Sequence, residues 1–187
     1  MRESDIAVPA RYYLRLAELL SRQNVDVRLL FSRAGINPAA VEAPDAQLRF
    51  SQVERLIELA YELSGRSDLG MELGRTLTAS THSLVGFGML NSPNLEHSLK
   101  FVARFFRLVM PSFSMRFTKL PQGADMSWVP AVGMSKLCLT FHIEAIATAG
   151  YREVLELSGA AVPPFRAELS IAEPAHRERY RELDRAR

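Results

Sequence analysis

The sequence predicts an α+β fold: N-terminal helices come first, and a small antiparallel sheet with packed helices follows in ββαβα order. Three observations predict it. Up to Val109 the apolar residues recur at helical spacing, and from Ser112 they alternate with polar ones. After a long apolar-rich helix the alternation returns near the C-terminal end. Helices segregated from a short antiparallel sheet make the α+β arrangement, and 187 residues suit a single domain with room for a sizeable core.

From the N-terminus, Pro9 to Arg22 reads as a helix that starts at Pro9 and places Tyr12, Leu16, Leu19 and Leu20 on one face. Asp26 to Ala34 repeats the pattern with Val27, Leu30 and Phe31, and stops at Gly35. A loop rich in Pro and Ala runs from Asn37 to Gln47. Ser51-Gln52-Val53-Glu54 has the form of a capping box and opens a helix that Gly65 ends. A shorter helix around Asp68 to Gly74 precedes a polar loop, Thr76 to His82. Gly86 to Leu90 forms a short apolar helix. Ser92 then caps a long helix with Pro93 at its first position, where a missing N–H costs nothing. In that helix Leu95, Leu99, Val102, Phe106 and Val109 form one apolar stripe and Phe101, Phe105 and Leu108 a second, so it should be covered on two faces.

At Ser112 the period changes. Phe113, Met115 and Phe117 alternate with polar residues, Leu120 to Ala124 forms a turn, and Met126 and Trp128 share one face of a second strand. Ser135 to Ser158 forms a long helix. Pro163-Pro164 breaks the chain before a third strand carrying Phe165, Ala167, Leu169 and Ile171, and a charged helix runs from His176 to Arg187.

Composition bounds the function. Apolar residues make up 48% and charged ones 24%, as in an ordinary globular protein, and a net charge of +2 is too small to argue for nucleic acid. Cys138 is the only cysteine, which excludes an intrachain disulfide framework and a cysteine-rich zinc site. Met1 to Asp5 carries no apolar signal region and no apolar run approaches membrane-spanning length, so a cytoplasmic location without membrane contact is expected.

Most candidate constellations carry little chemistry. Cys138 and His142, four apart on a helix, could present two ligands to a metal, but two ligands do not make a zinc site; a small buried thiol beside a hydrogen-bonded histidine is the other reading. Gly86-Phe87-Gly88 lacks the third glycine and the preceding strand of a nucleotide loop, and close helix packing explains its glycines better. No nucleophile elbow or other local catalytic signature occurs, so no catalytic residue, metal or cofactor is assigned. Leu29 to Val41 superficially resembles a helix-turn-helix. Its second helix is stopped by Pro44 and offers only Ala, Val and Glu side chains, none suited to reading base edges, so the segment reads as a packed helix corner. The terminal arginines, Arg177, Arg179, Arg181, Arg185 and Arg187, interleave with Glu178, Glu182 and Asp184 as on a solvated face.

Lys100, Arg104 and Arg107 form a basic edge on the largely apolar helix. Two readings stand. The side chains snorkel to solvent along their stems, or Arg104 or Arg107 projects into an aromatic pocket and binds an anionic group with paired hydrogen bonds. Phe105, Phe113, Trp128 and His142 would wall that pocket, with Met115 and Met126 as an adaptable apolar lining.

Nearly the whole chain, from Val8 onward, resembles the N-terminal effector-binding domain of AraC-type transcriptional regulators. The matching features are Ala34-Gly35-Ile36, Gly86-Phe87-Gly88-Met89-Leu90, Ser92-Pro93-Asn94-Leu95 with Ser98-Leu99, Arg104-Phe105-Phe106-Arg107 and Arg179-Tyr180-Arg181-Glu182-Leu183, in that order. The domain is often labelled arabinose-binding-like, a label that does not establish arabinose as the ligand. The resemblance implies a domain that senses a small effector or mediates dimerisation, while a separate C-terminal pair of helix-turn-helix motifs binds promoter DNA. That part is absent here, and a further strand-forming stretch normally follows the Tyr-Arg-Glu-Leu-like helix, so a fragment is expected. The effector expected from the basic edge is acidic and partly apolar. A homodimer is expected, with Leu16, Leu20 and Leu30 or the helix from Ser135 as candidate contact surface. The competing readings are a ligand-free dimerisation scaffold and a small-molecule enzyme.

Overall fold

A computed structural model describes residues 5–159 and 165–182. Its helices are α1 (Arg11–Ser21), α2 (Val27–Arg33), α3 (Phe50–Ser64), α4 (Leu69–Thr76), α5 (Leu84–Leu90), α6 (Leu95–Val109) and α7 (Lys136–Ser158). Two antiparallel sheets of two strands each accompany them, β1 (Ala7–Pro9) with β2 (Gln47–Arg49) and β3 (Phe113–Leu120) with β4 (Gly123–Pro130). The α+β class holds.

Local chemistry explains most boundaries. Asp26 caps α2 by accepting the N–H groups of Arg28 and Leu29, and Ser135 caps α7 by accepting that of Cys138. Gly65 and Gly159 end their helices in the left-handed conformation that glycine adopts without strain. Two expected caps move. Asn94, rather than Ser92, caps α6 through His97 N–H, while Ser92 Oγ donates to Gly88 O at 2.8 Å and closes α5. Ser51 lies inside α3, where Asp5 accepts both its N–H and its hydroxyl; Gln52 Oε1 instead accepts the Arg49 N–H at 3.0 Å. Asp5 can reach Ser51 because β1 pairs with β2, with Val8 opposite Leu48. Strands of three residues are too short to show an alternating period, so this sheet has no sequence signal, and Pro9 ends a strand rather than starting a helix.

The second half departs from ββαβα. Residues 165–171 form no strand, although their alternation suits one, because alternation supplies a face and not a partner ladder. The expected terminal helix is a 3-10 turn over Arg177–Glu182, and its remainder lies outside the described residues. Nor is that turn wholly solvated. Arg179 is half-buried and pairs with Asp68 and with Glu72 at 2.6 Å, and Tyr180 donates to Glu144 Oε1 at 2.6 Å, while Arg177 and Arg181 are exposed.

Among the helices, packing is densest between α4 and α7. Gly70 and Gly74 lie one turn apart on α4 and let it rest on the backbone of α7. A Cβ on Gly70 would sit 2.8 Å from Glu144 Cβ, and one on Gly74 would sit 2.6 Å from Thr148 Cβ and 2.7 Å from Ala145 O. Gly86 and Gly88 act similarly, against the Ala79 backbone and the Phe101 ring, so close packing does account for these glycines. Leu16, Leu20 and Leu30, candidates for a dimer surface, are fully buried in the core. The helix corner at Leu29–Val41 is packed, with Leu30, Phe31, Ala34, Ile36 and Val41 buried. The second stripe of α6 is only partly covered: Phe101 and Phe105 are half-buried and Leu108 is 62% exposed.

Gly74→Ala should lower stability by about 1–3 kcal/mol, because the added methyl meets backbone that cannot swing aside. Gly150→Ala, in the interior of α7 with nothing within 4 Å of the new methyl, should raise stability by about 0.5–1 kcal/mol. Urea unfolding of both variants checks the pair; equal shifts of the same sign would refute the α4–α7 contact.

Candidate functional site

α1, α4, α6, α7 and the inner face of the β3–β4 hairpin meet around one cavity. α6 contributes Val102, Phe106 and Val109, the stripe it buries. Met115 and Trp128, directly opposite each other across the hairpin, and Met126 form the sheet wall. α7 supplies the longest wall, from Phe141 through Ala145 and Ala149 to Leu157, and α4 adds Leu73. The cavity offers about 70 Å³ to the centre of a water-sized molecule, several times the roughly 10–15 Å³ that one water needs.

Three polar groupings interrupt this apolar lining. His82 Nε2 lies 2.6 Å from Glu153 Oε1, and its Nδ1 lies 2.9 Å from the Tyr12 hydroxyl. Burial pushes the Tyr12 hydroxyl up to about 12, so it remains a neutral hydrogen-bonding group. On the other side, His142 Nδ1 donates to Cys138 O at 2.8 Å, an acceptor only, which leaves Nε2 to accept from the Tyr13 hydroxyl at 3.0 Å. Burial lowers His142 to about 4, so the ring is neutral, and the same cause raises the Tyr13 hydroxyl and the Cys138 thiol well above their ordinary values. Trp128 is the third: its indole N–H is buried and meets no hydrogen-bond acceptor.

The Cys138–His142 pair therefore matches the buried-thiol reading. Sγ lies 3.4 Å from Nδ1, but that nitrogen is spent on the carbonyl and the thiol keeps its proton. Among the described residues no three His, Cys, Asp or Glu side chains gather as a metal set.

Residues 25–186 match the family model for the arabinose-binding domain of AraC transcription regulators, N-terminal. The chain belongs to that family. It is also 26% identical over 176 residues to the ornithine utilization regulator of Pseudomonas aeruginosa, an alignment covering 94% of this chain and 52% of the relative. The chain thus spans about half the length of the curated relative it matches. Among the described residues no helix is long and apolar enough to cross a membrane.

Within this AraC-type domain the six expected site residues do not all converge. Trp128 and His142 line the cavity. Phe113 is fully buried behind it, its ring 5.7 Å from that of His142. Phe105 packs on Phe101 at 4.9 Å between centroids, away from the lining. The expected projection of Arg104 or Arg107 into an aromatic pocket does not occur. Both are exposed, Arg104 lying 5.5 Å from the Phe105 ring centroid, because long cationic stems on an amphipathic helix reach water most cheaply along its flank. Lys100 joins them there, paired with Glu96 at 2.7 Å. Tyr12, His82 and Glu153 were not legible as site residues: the first two are 70 positions apart and the last two 71, so no local spacing connects them.

His142 gives a pH dependence. The unfolded chain binds its proton near 6.5 and the folded chain only near 4, so acid favours unfolding between these values. Its stabilising contribution is complete above 6.5 and is lost as pH falls through 4, at up to about 1.4 kcal/mol per pH unit. Denaturant unfolding across that window should show a shallower slope in His142→Asn than in wild type; identical slopes would contradict a buried neutral ring.

Proposed function

We propose that this chain is the ligand-sensing and oligomerisation domain of a cytoplasmic AraC-type transcriptional regulator. It controls an attached DNA-binding domain and has no catalysis of its own. The observation that carries the reading is the mostly apolar cavity in a chain of this family. Concave, mostly apolar sites with a few convergent polar groups are where small molecules bind.

The signal travels by population shift: the effector favours one arrangement of the helices it touches. α4 and α7 face the cavity through Leu73, Phe141 and Ala145 and also hold residues 176–180. Glu144 of α7 bonds His176 Nε2 at 2.7 Å and Tyr180 Oη at 2.6 Å, and Glu72 of α4 bonds Arg179. A ligand that shifts α4 against α7 moves this clamp, which lies toward the C-terminal side where a DNA-binding domain would attach. The relative's name ties that protein to ornithine utilization. Here, among the described residues, the cavity lining has no lysine or arginine to meet ornithine's carboxylate.

Self-association draws on a different surface. Leu84, Phe87 and Leu90 stand along α5 with exposures of 82%, 67% and 47%. An apolar stripe of this kind is suited to burial against the same stripe of a second copy around a two-fold axis.

Two measurements test these readings. A metabolite library screened by thermal shift should yield ligands that stabilise wild type, by about 2.7 kcal/mol at 100-fold excess over Kd. The same ligands should not stabilise Gly150→Leu, whose side chain fills the cavity; hits that stabilise both proteins equally would place binding elsewhere. In sedimentation, wild type should form dimers at tens of micromolar (roughly the range of ordinary transient interfaces) and Leu84→Glu/Phe87→Glu should be monomeric. A wild-type monomer would remove the oligomerisation role.

A further inference from the structure

Resting on the reading of the cavity as the effector site, we propose that its ligand is an uncharged, largely apolar molecule. The ligand's polar end is a hydrogen-bond acceptor: a hydroxyl, ether or carbonyl oxygen. Acids and amines of the same size are discriminated against.

The charge complement of the wall argues against an acid. Among the described residues no lysine or arginine lines the cavity. Arg104, one of the two arginines expected to reach the site, stands two positions from both Val102 and Phe106, which places it on the opposite side of α6 from the lining. The basic rings that do line the cavity are already engaged. His142 is neutral with both nitrogens used, and His82 is held between Tyr12 and Glu153. Among the described residues Glu153 is the one carboxyl side chain in the lining and it is held by His82, so an incoming carboxylate would lose its water and find no cationic side chain on the wall to pair with.

The unmet donor argues for an acceptor. Among the described residues, Trp128 is the only lining residue with a buried polar atom that lacks a hydrogen-bond partner. Buried donors are normally satisfied, and a ligand oxygen would satisfy this one. An ammonium group has no lone pair to offer it, and Glu153 Oε1, the carboxylate oxygen it would seek, is already engaged by His82 Nε2 at 2.6 Å. The surrounding Val102, Phe106, Val109, Met115 and Met126 then take the rest of the molecule, the methionines adjusting to its shape.

The chain contains one tryptophan, and it is in the wall, so tryptophan emission reports directly on occupancy. Octanol, octanoate and octylammonium differ only in the polar end and are titrated into residues 1–187 at neutral pH. Octanol should change Trp128 emission and bind at least about tenfold more tightly than either ion, whose desolvation the wall does not offset. By calorimetry, Trp128→Phe should weaken octanol several-fold while leaving the affinity for hexane, which has no acceptor, unchanged. Octanoate or octylammonium binding as tightly as octanol overturns this inference and leaves the cavity reading standing. Binding of none of the three overturns both. Octanol binding to Trp128→Phe as to wild type overturns the role given to the indole N–H.

Discussion

The close approach of α4 to α7 is the contact on which the remaining architecture depends. With Gly70 and Gly74 on one face, α4 has no Cβ where α7 passes, so the two helices meet at backbone distance along Phe141 to Ala149. One side of the pair carries Leu73, Ala145 and Ala149 into the cavity, and the other carries Glu144 and Glu72 to residues 176–180. A packed backbone contact has little compliance, because interiors at crystal-like density move between discrete arrangements rather than deform smoothly. The sensing role proposed above would use this property, a ligand on one face being coupled to groups on the other.

Two zones of buried polar groups differ in how fully they are satisfied. Around the cavity, Tyr12–His82–Glu153 and Tyr13–His142–Cys138 are hydrogen-bonded sets that tie α1 to α7, and of the lining side chains only Trp128 keeps a buried donor unmet among the described residues. Beneath the C-terminal turn, Glu144 is fully buried, with Oε1 shared by His176 and Tyr180 and Oε2 left without a partner. Arg66 holds Asp68 through two bonds of 2.8 Å, and Arg179 joins Asp68 and Glu72. Removing His176 or Tyr180 from a buried carboxyl group held in this way would cost it part of the hydrogen bonding that offsets its burial. The turn over 177–182 is therefore held by polar geometry more than by apolar area.

The surface of α6 shows how a helix can mislead by its composition. Two apolar stripes suggest cover on both sides, yet only Val102, Phe106 and Val109 are buried, with Phe101 and Phe105 half-covered and Leu108 open. The basic edge of Lys100, Arg104 and Arg107 follows the same logic, lying on the outer flank where charge stays hydrated while Glu96 and aromatic faces provide local partners.

Periodicity, caps and turn residues were sufficient for the α+β class, for α2, α3, α4, α7 and the hairpin, and for Met115, Met126 and Trp128 sharing one face, because these are set by neighbours within a turn or a strand pair. The missing third strand, the β1–β2 pair and the reassigned caps at Arg49 and Asn94 depend on partners that local spacing does not specify. So do the site's polar groups. Tyr12 meets His82, His82 meets Glu153, and Tyr13 meets His142 across 70 to 129 positions, and nothing in a local window favours those encounters over others. Local chemistry along the chain sets which segments are helix or hairpin and which faces are apolar; assembly sets which faces line a cavity and which charges remain outside it, because burial is a property of the assembled chain and not of any residue alone.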